Sequence, residues 1–128
     1  MNSRVLLFVY GTLKRGFPQH SLLGEDAVFR GAVRTEPSFG LVDCGGFPGL
    51  VEAEPGQAVR GELWEVSEAL LPALDTYEGV PEGEYVRLRT AVQPSPPGEG
   101  TVWAYHYSRE TGTDEEYGAE WTAAGLQR

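Results

Sequence analysis

Glycine and proline interrupt this sequence so often that only short secondary-structure elements fit between them. The 128 residues include 17 glycines and 9 prolines, scattered between short apolar stretches. Glycine allows tight turns and proline ends regular elements, so this pattern favours short strands over a helical bundle. We therefore expect a β-rich fold of about six strands, at Arg4–Tyr10, Val28–Thr35, Phe39–Asp43, Ala58–Val66, Tyr85–Gln93 and Thr101–Tyr107.

The first of these segments is the most apolar. From Arg4 to Tyr10 nearly every side chain is hydrophobic, which is typical of a strand buried on both faces. The run ends abruptly at Gly11, so we expect a loop to leave a core strand at this point. A chain of this length buries roughly two-thirds of the surface that its unfolded form exposes, which is enough for one core without disulfides or metals.

One segment, between Ser67 and Tyr77, has the periodicity of a helix. Its leucines and its tyrosine recur at steps of three and four residues along one face. Ser67 suits the N-cap, whereas Pro72 leaves two possibilities: the residues before it form a tight turn, or it lies in the first turn of the helix. Gly79 and the proline two residues later end the helix, which places Glu78 at or just beyond its C-terminal end.

Composition excludes several classes of protein. One cysteine cannot form an internal disulfide, and with two histidines it cannot supply an ordinary four-ligand zinc site, so we expect no metal. The net charge of -9 disfavours nucleic acid and anionic membrane surfaces, which bind through lysine and arginine. No apolar run approaches the roughly 20 residues of a membrane-spanning helix. We expect a soluble cytoplasmic protein without a signal peptide.

The acidic residues are concentrated in two places. From residue 110 onward, five acids are accompanied by one base, Arg128. We interpret 109–128 as an acidic C-terminal segment, solvated or frayed, that follows a domain formed by 1–108. The second concentration lies between Asp75 and Glu84, where four acids occur without a base. It adjoins the predicted helix and is the better candidate for chemistry.

The strand-to-loop junction Val9–Gly16 is the first candidate site. Gly11 and Gly16 let the backbone approach a ligand closely, and successive N–H groups can converge on an anion or a developing oxyanion. The segment is not a Walker loop, because it lacks the required order of glycine, lysine and hydroxyl residues. The alternative is an ordinary turn with Lys14, the only lysine of the chain, and Arg15 in solvent.

Glu78 is the second candidate, because it follows an apolar helical face and precedes a Gly/Pro break. At the rim of a core, desolvation would raise its pKa and make it a general base near neutrality. The alternative is that all four acids of this patch are surface charges, and Asp75 either shares the face of Glu78 or points to solvent. Negative charge near a helix C-terminus is electrostatically unfavourable, which argues against a purely structural role for Glu78.

Other residues have weaker support. Cys44 is a conceivable thiol nucleophile with His20 or His106, but no cysteine–histidine signature surrounds it, and we interpret it as an unreactive thiol. Thr12 resembles a nucleophile only by residue type, and a turn hydrogen bond suits it better. His20 either orients the loop or forms a local structural hydrogen bond. Three aromatic residues share one strand face and are interpreted as core, with a pocket wall as the alternative: Trp103, Tyr105 and Tyr107.

Several motifs occur in a specific order between about residues 4 and 107. A Tyr-Gly-Thr-Leu strand end is followed about 65 residues later by a Leu-Asp-Thr-Tyr-Glu-Gly segment. The matching pieces are Phe8–Gly16, Pro18–His20, Val59–Trp64 and Leu74–Gly79, with Tyr85 and Arg87 after them. Together they resemble the gamma-glutamylcyclotransferase-like superfamily, in particular its gamma-glutamylamine cyclotransferase and AIG2-like branch.

The resemblance implies an α+β fold, a small and mostly antiparallel β-barrel with short flanking helices. It also implies that Tyr10, Gly11, Thr12 and Leu13 bind the glutamyl end of a small-molecule substrate and that Glu78 is the catalytic glutamate. Family members release an amine from a gamma-glutamyl-amine and leave 5-oxoproline. The alpha-amine of the glutamyl group attacks its own gamma-carbonyl, and no cofactor or metal is required.

Two other functions stay open on the same fold. One is an enzyme that removes a gamma-glutamyl protecting group in a biosynthetic pathway, and the other is a non-catalytic small-molecule binding module. Glu78 favours an enzyme over a binding module, because a binding module would be expected to have lost the base. We expect a monomer or a weak homodimer.

Overall fold

The computed structural model describes residues 3–96, 101–108 and 117–128. No helix among these residues is both long and apolar enough to cross a membrane. The strands are β1 (Arg4–Val9), β2 (Val28–Thr35), β3 (Phe39–Asp43), β4 (Pro48–Glu52), β5 (Arg60–Ser67), β6 (Tyr85–Arg89), β7 (Val92–Gln93), β8 (Val102–Tyr107), β9 (Glu120–Thr122) and β10 (Gly125–Gln127). The helices are α1 (Leu71–Tyr77) and two short 3₁₀ helices, His20–Leu23 and Glu68–Leu70.

Eight strands form one curled sheet. Seven of them follow the order β3-β4-β8-β1-β5-β2-β7, and β6 pairs with the remaining edge of β8. Neighbours are antiparallel except that β1 and β4 run parallel to β8. Strands β9 and β10 form a separate hairpin. The expected α+β class with a mostly antiparallel sheet and short helices is confirmed, and the expected barrel is a curled half-barrel.

Strand β1 is buried on both faces, as its continuous apolar sequence predicts. Phe8 belongs to a core cluster that is shared by strands across the sheet. Leu7 and Val9, on the opposite face, pack in a second cluster with Leu71 and Leu74 of the helical segment. The strand therefore joins the two cores of the molecule, and its C-terminal end emerges between them.

Strand β8 has two neighbours along one of its edges. Its Trp103 pairs with Leu7 of β1, and its His106 pairs with Leu50 of β4. Strand β6 occupies the other edge at both positions. Strands β1 and β4 consequently share one edge of β8 and diverge there, which opens a gap at the end of β1.

The predicted number of strands is wrong, since the described residues contain ten. Strand β4 begins with Pro48 and contains Gly49, so its composition resembles a loop, although proline is accepted at the first position of a strand. The predicted strand Tyr85–Gln93 is two strands, because the chain leaves β8 near Thr90 and pairs with β2 instead. The short strands β9 and β10 lack a recognisable alternating pattern.

The helical segment combines both possibilities left open by Pro72. Ser67 caps a 3₁₀ turn by accepting a hydrogen bond from the N–H of Ala69, at 3.3 Å. Helix α1 then begins at Leu71, with Pro72 in its first turn. Glu78 is the C-cap residue and Gly79, at φ 73°, ends the helix.

The expectation of a solvated or frayed C-terminal end is wrong for residues 117–128. Trp121 of β9 is 6% exposed and belongs to the same core cluster as Phe8. Gly118 bridges to Leu41 of β3, and the Ala119 carbonyl accepts a hydrogen bond from the N–H of Arg60 at 2.7 Å. The hairpin thus links β3 to the start of β5. Residues 109–116, which include four of the five acids, lie outside the described residues, and the boundary at residue 108 stays a prediction.

Candidate active site

A cavity of about 270 Å³ lies at the end of β1, where the two parallel neighbours of β8 diverge. The loop after β1, the last turn of α1 and the start of β6 all contribute to its wall. No lysine or arginine among the residues that the structure describes lines it. The lining residues are Phe8, Val9, Tyr10, Gly11, Thr12, Leu13, Phe47, Pro48, Tyr77, Glu78, Glu84, Tyr85 and Tyr105.

The loop after β1 lines this cavity with residues whose backbone donors are open. Within the described ranges, no protein acceptor takes a hydrogen bond from the N–H groups of Gly11, Thr12 and Leu13, although the Gly11 carbonyl accepts one from Lys14 at 3.0 Å. Gly11 is needed because a Cβ at this position would lie 2.6 Å from Cγ of Pro48. Three successive N–H groups in one loop can hold an anion or a polarised carbonyl oxygen.

Three contacts fix this loop from outside the cavity. The carbonyl of Leu13 is 2.8 Å from Nδ1 of His20, so His20 forms the local structural hydrogen bond that was one of its two predicted roles and holds the loop by it. Glu62 accepts a hydrogen bond from the N–H of Arg15 at 2.9 Å. The ammonium group of Lys14 donates to the carbonyl of Trp121 in the C-terminal hairpin.

Lys14 is not solvated, contrary to the simpler interpretation of this loop. It is 8% exposed and lies 5.2 Å from the ring centre of Phe17. Burial lowers the pKa of its ammonium group, and the carboxylates of Glu120 and Glu62 oppose the shift. Arg15 is exposed, and its guanidinium lies over the ring of Phe29.

Tyr10 fills the gap between the diverging strands. Its hydroxyl donates to the carbonyl of Tyr105 in β8 at 2.6 Å and accepts from the N–H of Leu50 in β4 at 3.2 Å. Burial raises the pKa of this phenol well above its ordinary value, so the hydroxyl stays protonated. The ring of Tyr10 lines the cavity, whereas its hydroxyl is bonded to β4 and β8. The backbone and the ring face of Tyr10 are therefore the parts that can contact a ligand.

Glu78 projects from the end of α1 into the same cavity. The side chain is half-buried, and no side chain in the described part of the chain donates a hydrogen bond to its carboxylate. Desolvation, with a smaller contribution from the charge of Glu84, raises its pKa from 4.5 to about 7. Such a group exchanges a proton readily near neutral pH and can act as a general acid or base.

Glu84 reaches the cavity through the turn that follows α1. Its N–H donates to the carbonyl of Gly79 at 3.0 Å, and a Cβ at Gly79 would lie 3.0 Å from Oε2 of Glu84. The left-handed backbone at Gly79 and the absence of a side chain there bring the two carboxylates to one wall. In the sequence, Glu84 is assigned only to an acidic patch and given no role. The residues of this turn do not by themselves predict its shape.

Asp75 is neither a cavity residue nor a solvated charge. It accepts two hydrogen bonds from Arg87, at 2.8 and 3.1 Å, and one from the hydroxyl of Tyr105 at 2.7 Å. The bond from Arg87 lowers the pKa of Asp75, with a smaller contribution from Tyr105. The Arg87 guanidinium lies 4.8 Å from the ring centre of Trp103. This network attaches α1 to β6 and β8 one turn before Glu78.

The three aromatic residues of β8 divide between core and pocket. Trp103 and Tyr107 pack against the second core cluster, and Tyr105 belongs to that cluster and also lines the cavity. Burial raises the pKa of the Tyr105 phenol, which keeps it a hydrogen-bond donor. Both alternatives for this strand face therefore apply: all three side chains contribute to the core, and Tyr105 is also part of the pocket wall.

The two histidines considered as bases for the Cys44 thiol both have other hydrogen-bond partners. The hydroxyl of Tyr85 lies 4.0 Å from Sγ of Cys44 and donates to the Pro48 carbonyl at 2.7 Å. His20 contacts the loop, and His106 bonds to Thr90 at 2.7 Å. Burial lowers the pKa of His106 and favours its neutral form. Across the described residues, no three His, Cys, Asp or Glu side chains converge as metal ligands.

A curled half-barrel with a cavity at the end of its first strand, lined by a loop of open N–H groups and by a carboxyl whose pKa is raised to about 7, defines a class of small α+β proteins. The family model described as gamma-glutamyl cyclotransferase, AIG2-like, matches residues 7–123. The chain therefore belongs to this family.

Individual relatives agree with this placement. The chain is 37% identical over 122 residues to the gamma-glutamylaminecyclotransferase of Homo sapiens, covering 83% of this chain and 79% of the human protein. It is 43% identical over 94 residues to the enzyme of the same name from Rattus norvegicus, covering 68% and 61%. The crystal structure of a mouse AIG2-like protein superimposes with a TM-score of 0.80 at 32% identity, covering 97% of this chain and 94% of that one.

Proposed function

We propose that this protein converts a gamma-glutamyl-amine into 5-oxoproline and a free amine, with Glu78 as the general base. The observation that carries the proposal is the placement of Glu78, with a pKa of about 7, on the same cavity as the open N–H groups of Gly11, Thr12 and Leu13. Family membership and the names of the relatives support the reaction class.

The reaction is an internal transfer of an acyl group. The alpha-nitrogen of the glutamyl group attacks its own gamma-carbonyl carbon, a ring C–N bond forms, and the original amide C–N bond breaks. The alpha-amine is protonated near neutral pH and must lose a proton before it attacks. Glu78 accepts that proton, and the same carboxyl group can return it to the departing amine.

The loop supplies the complementary charge. As the ring closes, negative charge develops on the gamma-carbonyl oxygen, and N–H groups already fixed in position stabilise it without reorganisation. The contacts of His20, Glu62 and Lys14 hold these donors in place. The same N–H groups are also suited to the alpha-carboxylate of the glutamyl end. Because nucleophile and carbonyl belong to one molecule, holding its folded conformation removes much of the entropic barrier.

The test is Glu78→Gln, which removes the base while keeping the size of the side chain. We expect 5-oxoproline formation from gamma-glutamyl-n-butylamine to fall by at least about 100-fold while substrate binding, measured by calorimetry, persists. Glu82→Gln is the matched control, because Glu82 is an exposed acid of the same turn and does not line the cavity. Full activity of Glu78→Gln would refute the assignment. Binding without 5-oxoproline in the unaltered protein would favour a binding module.

A further inference from the structure

A second cavity, of about 310 Å³, is formed by β2, β5, the end of β7 and the start of β9, and we call it the rear cavity. It shares no lining residue with the active-site cavity. Three of its residues are basic and two are acidic, in a chain whose net charge is -9. The lining residues are Lys14, Ala32, Val33, Arg34, Arg60, Gly61, Glu62, Gln93, Pro94 and Glu120.

Two arginines of the rear cavity lie directly opposite each other on neighbouring strands. Arg34 of β2 and Arg60 of β5 are partners in the antiparallel register. The next pair is joined by a backbone hydrogen bond of 2.9 Å from Thr35 to Val59, so the two arginines form a non-hydrogen-bonded pair, in which opposite side chains lie closest. Like charges at such positions repel each other and destabilise a sheet. An anion bound between the two guanidinium groups would remove this repulsion.

The two acids of the rear cavity do not neutralise this pair. The carboxylate of Glu62 accepts hydrogen bonds from the N–H of Arg15 at 2.9 Å and from an indole N–H at 3.0 Å. Glu120 lies 3.4 Å from Arg60, but the two side chains are 37% and 52% exposed, and such pairs contribute little. Within the described ranges, Arg34 takes part in no ion pair. Its guanidinium is thus the group most available to an anionic ligand.

A phosphate group suits the two arginines better than a carboxylate does. Each guanidinium offers a planar fork of N–H donors that matches either anion. A carboxylate has two oxygens and one charge, enough for one fork, whereas a phosphate monoester has three free oxygens and nearly two charges. It can therefore bind both arginines at once.

The rest of the rear cavity restricts the organic part of such a ligand. The carboxylates of Glu62 and Glu120 can accept hydrogen bonds from hydroxyl groups, and they would repel a second anionic group. No aromatic residue of the described chain lines this cavity, so a nucleobase would have no ring on which to stack. These features favour a small hydroxylated ligand with one phosphate over a nucleotide or a bisphosphate.

We propose that the rear cavity binds a phosphate monoester of a small polyhydroxy alcohol, with the phosphate between Arg34 and Arg60. The hydroxyl groups of the ligand face Glu62 and Glu120. This inference does not depend on the proposed function, because binding is measured without turnover. The site adjoins the active-site loop, since Lys14 and Glu62 line the rear cavity and are two of the residues that hold that loop in place.

The experiment measures binding by calorimetry at pH 8 and constant ionic strength. The probes are glycerol 3-phosphate, inorganic phosphate, acetate and glycerol, and the proteins are the unaltered chain, Arg34→Gln, Arg60→Gln and Arg89→Gln. Arg89 is the matched control, because it is an exposed arginine of β6 that does not line the rear cavity. Because a net charge of -9 repels anions in general, saturable phosphate binding requires a local site.

We expect glycerol 3-phosphate to bind most tightly, followed by inorganic phosphate, with acetate at least about tenfold weaker and no binding of glycerol. Either Arg34→Gln or Arg60→Gln should weaken binding of glycerol 3-phosphate by about 10- to 100-fold, as expected for the loss of charge-assisted hydrogen bonds. Arg89→Gln should keep the full affinity. Urea denaturation of each variant checks that the fold is retained.

The open N–H groups of the active-site loop are the other place where phosphate could bind, and Glu78→Gln distinguishes the two. Removing the carboxylate of Glu78 would increase the affinity of phosphate in the active-site cavity but leave that of the rear cavity unchanged. Increased affinity in Glu78→Gln, with no loss in the Arg34 and Arg60 variants, would overturn the proposal. So would acetate binding as tight as that of phosphate, an equal loss in Arg89→Gln, or no binding of any probe.

Discussion

Replacing Glu78 by glutamine is expected to stabilise the protein at alkaline pH although it removes the proposed base. The folded protein raises the pKa of this carboxyl from 4.5 to about 7, so between these values it binds a proton that the unfolded chain has released. The free energy of unfolding must therefore fall as the pH rises through this window. The stability of the protonated form is fully present below 4.5 and is lost as the pH passes about 7.

The size of this loss of unfolding free energy follows from the pKa shift of Glu78. Each pKa unit corresponds to about 1.4 kcal/mol, so complete ionisation costs about 3 kcal/mol, and less than about 1 kcal/mol of this is already lost at about pH 5. Glu78 is half-buried, and solvent screens part of the remainder. We expect the difference in unfolding free energy, Glu78→Gln minus unaltered protein, to grow by about 2 kcal/mol between about pH 5 and about pH 8.

Urea denaturation of both proteins at the two pH values measures this quantity. Comparing two pH values removes any constant cost of placing an amide in the cavity. Glu82→Gln, at an exposed position in the same turn, should show no such growth. An unchanged difference at the two pH values, or a variant that loses stability relative to the unaltered protein as the pH rises, would refute the claim that the fold holds Glu78 against its ionisation.

Three further predictions concern the base, the loop and the hairpin. The kcat/KM for 5-oxoproline formation should rise with pH to a midpoint near 7, because Glu78 must be deprotonated to accept a proton, and Glu84→Gln should lower the midpoint; a flat profile would exclude Glu78 as the base. Gly11→Ala places a Cβ 2.6 Å from the opposing proline ring and should lower kcat/KM at least about tenfold and stability by about 1–3 kcal/mol. Gly16→Ala, at φ 83° with no atom near the new Cβ, should cost only about 1–2 kcal/mol of stability and keep the activity. Trp121→Ala should destabilise the protein by about 3–5 kcal/mol in urea, whereas a frayed C-terminal end would tolerate it.

The parts of this fold that were predictable have local signals. The double burial of β1 is recorded in its unbroken apolar sequence, and the loop at Gly11 in the abrupt end of that sequence. The C-cap position of Glu78 follows from the spacing of Leu71 and Leu74 and from Gly79. Local spacing is sufficient in these cases because each feature depends on residues within one or two turns of the chain.

The remaining features depend on contacts between distant residues. Lys14 resembles a solvated side chain until Trp121, 107 positions later, provides a carbonyl for its ammonium group. Pro48 and Gly49 indicate a loop until β3 and β8 provide strand partners on both sides. Glu84 gains its position from the conformation of Gly79, which one sequence does not specify. The assignment of Glu78 as the base stays a prediction that the kinetic and denaturation experiments test.

The arrangement around Tyr10 explains how a small fold keeps a site open without losing its framework. The parting of two strands would ordinarily leave backbone groups of β4 and β8 without partners, at a cost of about 1–3 kcal/mol for each buried group. The Tyr10 hydroxyl satisfies one carbonyl and one N–H across that gap, at Tyr105 and Leu50. Because these groups are satisfied within the protein, the gap stays wide enough for a cavity, and the N–H groups of the adjoining loop stay available to a ligand. Tyr10, the residue that follows β1, thus bonds to the strand framework through its hydroxyl, while its ring and the loop after it line the cavity.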